Sequence, residues 1–114
     1  MTSPSKRLDG PYAERRSVPR YTFIATAEII EPSTDTRISG RVAEISQHGC
    51  YVDILNTLPK ETPIRVRITT DGGVFESAGK IIYVQENVGM GVGFVNAAPD
   101  QQAVLERWLK QLEG

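Results

Sequence analysis

The chain has 114 residues, 39% of them apolar and 24% charged, with a net charge of −1. That is the composition of one small soluble domain, too apolar for a disordered segment and without the apolar run of about 18 residues that a membrane span needs. The opening MTSPSKRLDGPYAERR has no apolar stretch resembling a secretory signal, and the single Cys and single His weigh against a disulfide framework and a His/Cys zinc site; a reducing, cytoplasmic location is the expectation.

Charge is unevenly spread. Lys6, Arg7, Arg15, Arg16 and Arg20 face only Asp9 and Glu14 within the first twenty residues, so the remainder is net acidic. A basic arm on a mildly acidic body suits a compact anionic ligand better than a long nucleic acid, which needs a broad basic face.

Residues 1–14 mix Ser, Pro, Gly and charge without periodicity and are expected to form a flexible tail. From Tyr21 the pattern alternates. YTFIATAEIIE puts Phe23, Ala25, Ala27 and Ile29 on one face, and TRISGRVAEIS puts Ile38, Gly40 and Val42 on one face with Arg37, Ser39 and Arg41 on the other. A short apolar strand, CYVDIL, follows Gln47-His48-Gly49. In PIRVRITT, Ile64, Val66 and Ile68 point inward while Arg65 and Arg67 point to solvent. Asp71-Gly72-Gly73 signals a hairpin into VFESAGKIIYVQE, and Asn87 turns the chain into VGMGVGFV. Six strands on short turns, with no helix between them to make a crossover, predict an all-β fold: an antiparallel barrel, closed or nearly so. The final PDQQAVLERWLKQLEG changes period. Val104, Leu105, Trp108, Leu109 and Leu112 form one helical stripe, expected to cover the barrel ahead of pairing with another chain.

Enzyme readings fail quickly. His48, Cys50 and Asp53 superficially suggest a nucleophile with its base, but Cys50 opens an apolar run and reads as a buried structural thiol. No nucleophile elbow or phosphate-binding loop is present. Gly89, Gly91 and Gly93 share one strand face and read as a flat strip packed closely by a neighbour. Two segments remain. Arg15, Arg16 and Arg20 on a Pro-stiffened loop offer donor forks for phosphate and flat faces for a purine, although alone they would read as a solvated linker. Glu44 and Ser46, one residue apart on one face with Gly49 at the following turn, offer an acceptor and a hydroxyl to a base edge, although alone they would read as a polar hairpin.

Together the two segments resemble the PilZ domain family, whose marks are R-x-x-x-R before the first strand and (D/N)-x-S-x-x-G on the second and third. Arg16-Ser17-Val18-Pro19-Arg20 matches the first in full. Glu44-Ile45-Ser46-Gln47-His48-Gly49 matches the second in Ser46 and Gly49 but has Glu in place of Asp or Asn. The resemblance covers residues 15–98, with 99–114 as a trailing helix, and implies a six-stranded PilZ-type barrel that is no enzyme. By the same resemblance it would be a bacterial receptor for cyclic di-GMP. Arg16 and Arg20 would grip phosphate and the guanine O6/N7 edge, Glu44 and Ser46 would meet the other guanine, and Gly49 would leave room for it. Arg15 adds a third cation, favouring two stacked ligands per chain. The arm would order over the ligand and signal to a protein partner that the sequence does not name. Two rival readings stay open: a PilZ-fold interaction module that has lost nucleotide binding, supported by Glu44, and a barrel for single-stranded nucleic acid, which the scarcity of aromatic–basic pairs on the strands disfavours.

Overall fold

The computed structural model describes residues 18–114. Six strands, β1 (Arg20–Glu31), β2 (Thr36–Ser46), β3 (Gly49–Asp53), β4 (Pro63–Thr70), β5 (Gly73–Gln85) and β6 (Gly89–Val95), precede one helix, α1 (Pro99–Glu113). All pairings are antiparallel, and the order β1-β2-β3-β6-β5-β4 closes a barrel. The turns carry the residues that tolerate a left-handed backbone. Asp35, Asn87 and Asn96 have φ of 59°, 64° and 49°, and Gly73 has φ of 134°.

Alternation fills the interior as the sequence pattern requires. Ala27, Ile29, Val42, Val52, Ile68, Phe75, Ile81, Met90 and Val92 are fully buried, while Arg37, Arg65 and Arg67 stand in solvent. Cys50 belongs to this core, and burial pushes its thiol pKa up to about 12, so it stays protonated and unreactive at neutral pH.

Helix α1 covers the barrel with the stripe read from sequence. Leu105 and Trp108 are buried, with Val104, Leu109 and Leu112 packed around them. Trp108 lies against Phe23 and Phe75 at ring-centroid distances of 5.3 and 6.4 Å. No helix among the described residues is long and apolar enough to cross a membrane.

Three β-bulges interrupt the ladders: between Thr22 and Ala25 of β1, between Val42 and Glu44 of β2, and between Ile81 and Tyr83 of β5. An extra residue resets the inward–outward alternation of its strand. Regular alternation from Val42 and Ile81 would turn Glu44 and Tyr83 inward. With the bulges, Ile45 takes the buried position after Val42, and Glu44 and Tyr83 stand outside.

Candidate functional site

The registers line up two rows of residues across the outer face of five adjacent strands. One row runs Thr22, Glu44, Tyr51, Gly91, Tyr83. The next starts with Arg20 opposite Ser46 and ends with Gly49, Gly93 and Lys80. Between them lies a depression lined by Arg20, Glu44, Ser46, His48 and Gly49 on one side and by Tyr51, Ile82, Tyr83 and Gly91 on the other. The structure thus brings together four of the six residues singled out in the sequence. Arg15 and Arg16 lie outside the described residues.

Each group is held by an identifiable local cause. Ser46 ends β2, and its hydroxyl closes the β2–β3 turn by accepting from the His48 backbone N–H at 3.2 Å and donating to the Gly49 carbonyl at 3.4 Å. One acceptor site on its oxygen remains for a ligand. The His48 carbonyl in turn accepts from the Phe94 N–H at 2.9 Å, tying the turn to β6. Gly49 is required by the backbone itself, because a Cβ there would lie 2.1 Å from the Val92 carbonyl oxygen. The glycine read as clearance for a ligand is therefore also what allows β3 to approach β6.

Arg20 and Glu44 form an ion pair of 3.7 Å across the mouth of the depression, each side chain about half exposed, at 46% and 48%. Such a pair in water is worth about 0–1 kcal/mol, so it holds the two groups near the site without locking them there.

The glycine strip of β6 is covered from outside by side chains. A Cβ at Gly91 would meet the Tyr83 ring, one at Gly89 would meet Tyr51, and one at Gly93 would meet Ile82. The rings of Tyr51 and Tyr83 lean over β6 from both sides, with centroids 6.0 Å apart and planes at 24°. The Tyr51 hydroxyl donates to the Gln85 side chain, and its pKa is raised by burial first and then by Tyr83 and Asp53. Sequence reading missed both tyrosines as site residues. The available signal was the spacing of three between the inward residues Ile81 and Val84, which reveals the bulge that turns Tyr83 outward.

The described residues thus form a closed six-stranded antiparallel barrel with a polar depression on its wall and a helix packed on it. The PilZ domain family profile matches residues 14–111, and the chain belongs to that family. Its fold is similar to that of the PilZ domain with c-di-GMP of YcgR from Escherichia coli (TM-score 0.72, 16% identity, 87% of this chain and 92% of that one). It is similar also to the PilZ domain of CeSA from a cellulose-synthesizing bacterium (0.65, 19%, 84% and 99%). A third similar structure is MotI/DgrA, an inhibitor of motility from Bacillus subtilis (0.68, 18%), where 85% of this chain aligns with 51% of that one. No curated protein matches by sequence.

Proposed function

We infer that the chain is a receptor domain for cyclic di-GMP, a binding module and not an enzyme. The observation that carries the reading is the convergence of Arg20, Glu44, Ser46 and Gly49, from three strands, on one outer depression, in a family whose structurally similar members include a PilZ domain with c-di-GMP. The guanidinium of Arg20 supplies a charge-assisted fork for a phosphate or for guanine O6/N7. Glu44, as a carboxylate, accepts from the guanine ring N–H and amino group, and Ser46 offers its remaining acceptor site. Ligand phosphate replaces Glu44 as the partner of Arg20, which frees the carboxylate for the base edge. Arg16 supplies the second cation of the arm and Arg15 a third, which favours two stacked ligands per chain. Ordering of the arm over the ligand alters the surface offered to a protein partner.

Calorimetric titration with cyclic di-GMP tests this, with single-stranded RNA as the control expected to give no heat. Losing one charge-assisted contact of about 1.5–3 kcal/mol should weaken binding about tenfold to a hundredfold in Arg20→Ala. The same titration counts ligands per chain. Unchanged affinity in Arg20→Ala would move the site elsewhere. Silence of the wild type at micromolar ligand would favour the interaction module without nucleotide.

Glu44 carries a second expectation. Its extra methylene, relative to Asp, lets the carboxylate reach Arg20 and shifts the acceptor from where a shorter side chain would meet a base edge. It also adds rotamer freedom to be lost on binding. Glu44→Asp should tighten binding by about 1 kcal/mol, the net worth of one hydrogen bond. Weaker binding in Glu44→Asp would mean that the pocket has adapted to the longer side chain.

A further inference from the structure

Tyr51 and Tyr83 stand outside the hydrophobic core, yet their rings are held in place. The Tyr83 ring lies on the Gly91 backbone, where a Cβ would come within 2.4 Å of it. The Tyr51 ring is tethered through its hydroxyl to Gln85. Covering a glycine does not by itself call for an aromatic ring, since aliphatic Ile82 does the same over Gly93. Aromatic pairs often meet edge to face. These two form a stacked pair within 24° of parallel, the other geometry aromatic pairs favour, and both line the same depression as Arg20 and Glu44. Glu44 is the cross-strand partner of Tyr51, which puts the two side chains about 5 Å apart at Cβ. An acceptor for the edge of a base therefore stands beside Tyr51, in the same row of the outer face as Tyr83.

We propose that the Tyr83 ring, backed by Gly91 and flanked by Tyr51, is the stacking surface for a purine of the ligand, with Glu44 meeting the edge of that same base. The inference rests on the cyclic di-GMP reading of the site and deepens it. Because both rings are already positioned, little side-chain entropy is lost on binding, and the stacking enters the affinity nearly undiminished.

The test uses the whole chain with cyclic di-GMP as the probe and compares wild type, Tyr83→Phe, Tyr83→Leu and Arg20→Ala. Leucine keeps an apolar cover on Gly91 without a π face, whereas phenylalanine keeps the face and removes the hydroxyl. Tyr83→Leu should bind about five- to a hundredfold more weakly, the range for loss of one base–aromatic stack. Tyr83→Phe should stay within about threefold of wild type, since the π face is what stacks. In proton NMR the purine H8 should move upfield on binding to wild type and Tyr83→Phe and not on binding to Tyr83→Leu; a purely structural role of the ring would not produce that ring-current signature. Wild-type spectra should also show contacts between the Tyr83 ring protons and the purine, a readout that does not depend on how well any variant folds. If those contacts are missing, or Tyr83→Leu binds like wild type while Arg20→Ala is weakened, the stacking role is overturned and the receptor reading stands. A Tyr83→Phe as weak as Tyr83→Leu would assign the effect to the hydroxyl and overturn it equally. If the wild type does not bind, both readings fall together.

Discussion

Gly49→Ala should abolish ligand binding and lower stability at the same time, by about 3 kcal/mol or more, the upper end of the cost of overpacking. The collision is with backbone: the new methyl would stand 2.1 Å from the Val92 carbonyl oxygen and 3.2 Å from the Gly93 Cα. No rotamer change relieves it, so β3 and β6 must move apart. Their ladder runs from Gly49 opposite Gly93 to Asp53 opposite Gly89, and it joins the two halves of the barrel. At one end of that ladder sits the β2–β3 turn with Ser46 and His48, so separation of the strands also displaces the site. A domain of this size should lose on the order of 12–24 °C in melting temperature for 3 kcal/mol. Gly93→Ala is the matched control. Its methyl would meet the Cγ2 methyl of Ile82 at 3.2 Å, a side-chain contact that needs to give by only a few tenths of an ångström, so the loss in melting temperature should be several times smaller. Equal melting temperatures for the two variants would refute the distinction.

Gly49 also illustrates how much of the molecule was legible in the sequence. Strand positions were legible nearly to the residue, because inward residues such as Ile64, Val66 and Ile68 alternate strictly with charged ones and every turn carries Gly, Pro, Asn or Asp within it or, after Gln47-His48, directly behind it. The helix was legible from the change of period after Pro99. The pairing of β3 with β6 and of β1 with β4 was not, since alternation says which face a residue takes and nothing about its neighbour across the ladder. The bulges were not either, and they shape the site. A strict period of two turns Glu44 and Tyr83 inward, and only the spacing of three from Val42 to Ile45 and from Ile81 to Val84 betrays the extra residue. Arg20, Glu44, Ser46 and Gly49 could be picked out because they carry motif chemistry. Tyr51 and Tyr83 could not, because an aromatic on a strand reads as core until the register shows it covering glycine on the outer wall. The close approach at Gly49 was hidden for the same reason: it depends on β6, forty residues further along the chain.

Trp108→Ala should give the largest loss of stability, about 3–5 kcal/mol, and should loosen the binding site although Trp108 touches none of it. Trp108 is 2% exposed and is the side chain through which α1 meets both Phe23 and Phe75. Phe23 lies in the first part of β1, three residues after Arg20. That part of the strand pairs with β2 through Arg20, Tyr21 and Thr22, whereas β4 pairs only with Thr26 to Ile30. The end of β1 that carries Arg20 is therefore held by one ladder and by the packing of Phe23 on Trp108. With the indole gone, α1 loses its main anchor, and amide exchange should quicken in α1 and in residues 20–24 together. Cyclic di-GMP affinity should fall as the strand end that carries Arg20 loosens. Trp108→Phe separates packing from polarity. The indole Nε1 is buried with no hydrogen-bond partner among the described residues, so removing it sacrifices no bond. A phenyl ring keeps most of the contact with Phe23 and Phe75, and its cost should come mainly from the smaller volume left unfilled, well below that of Trp108→Ala. If Trp108→Ala speeds exchange in α1 while residues 20–24 stay as protected as in wild type, the helix is a cover for the barrel alone and does not brace the binding site.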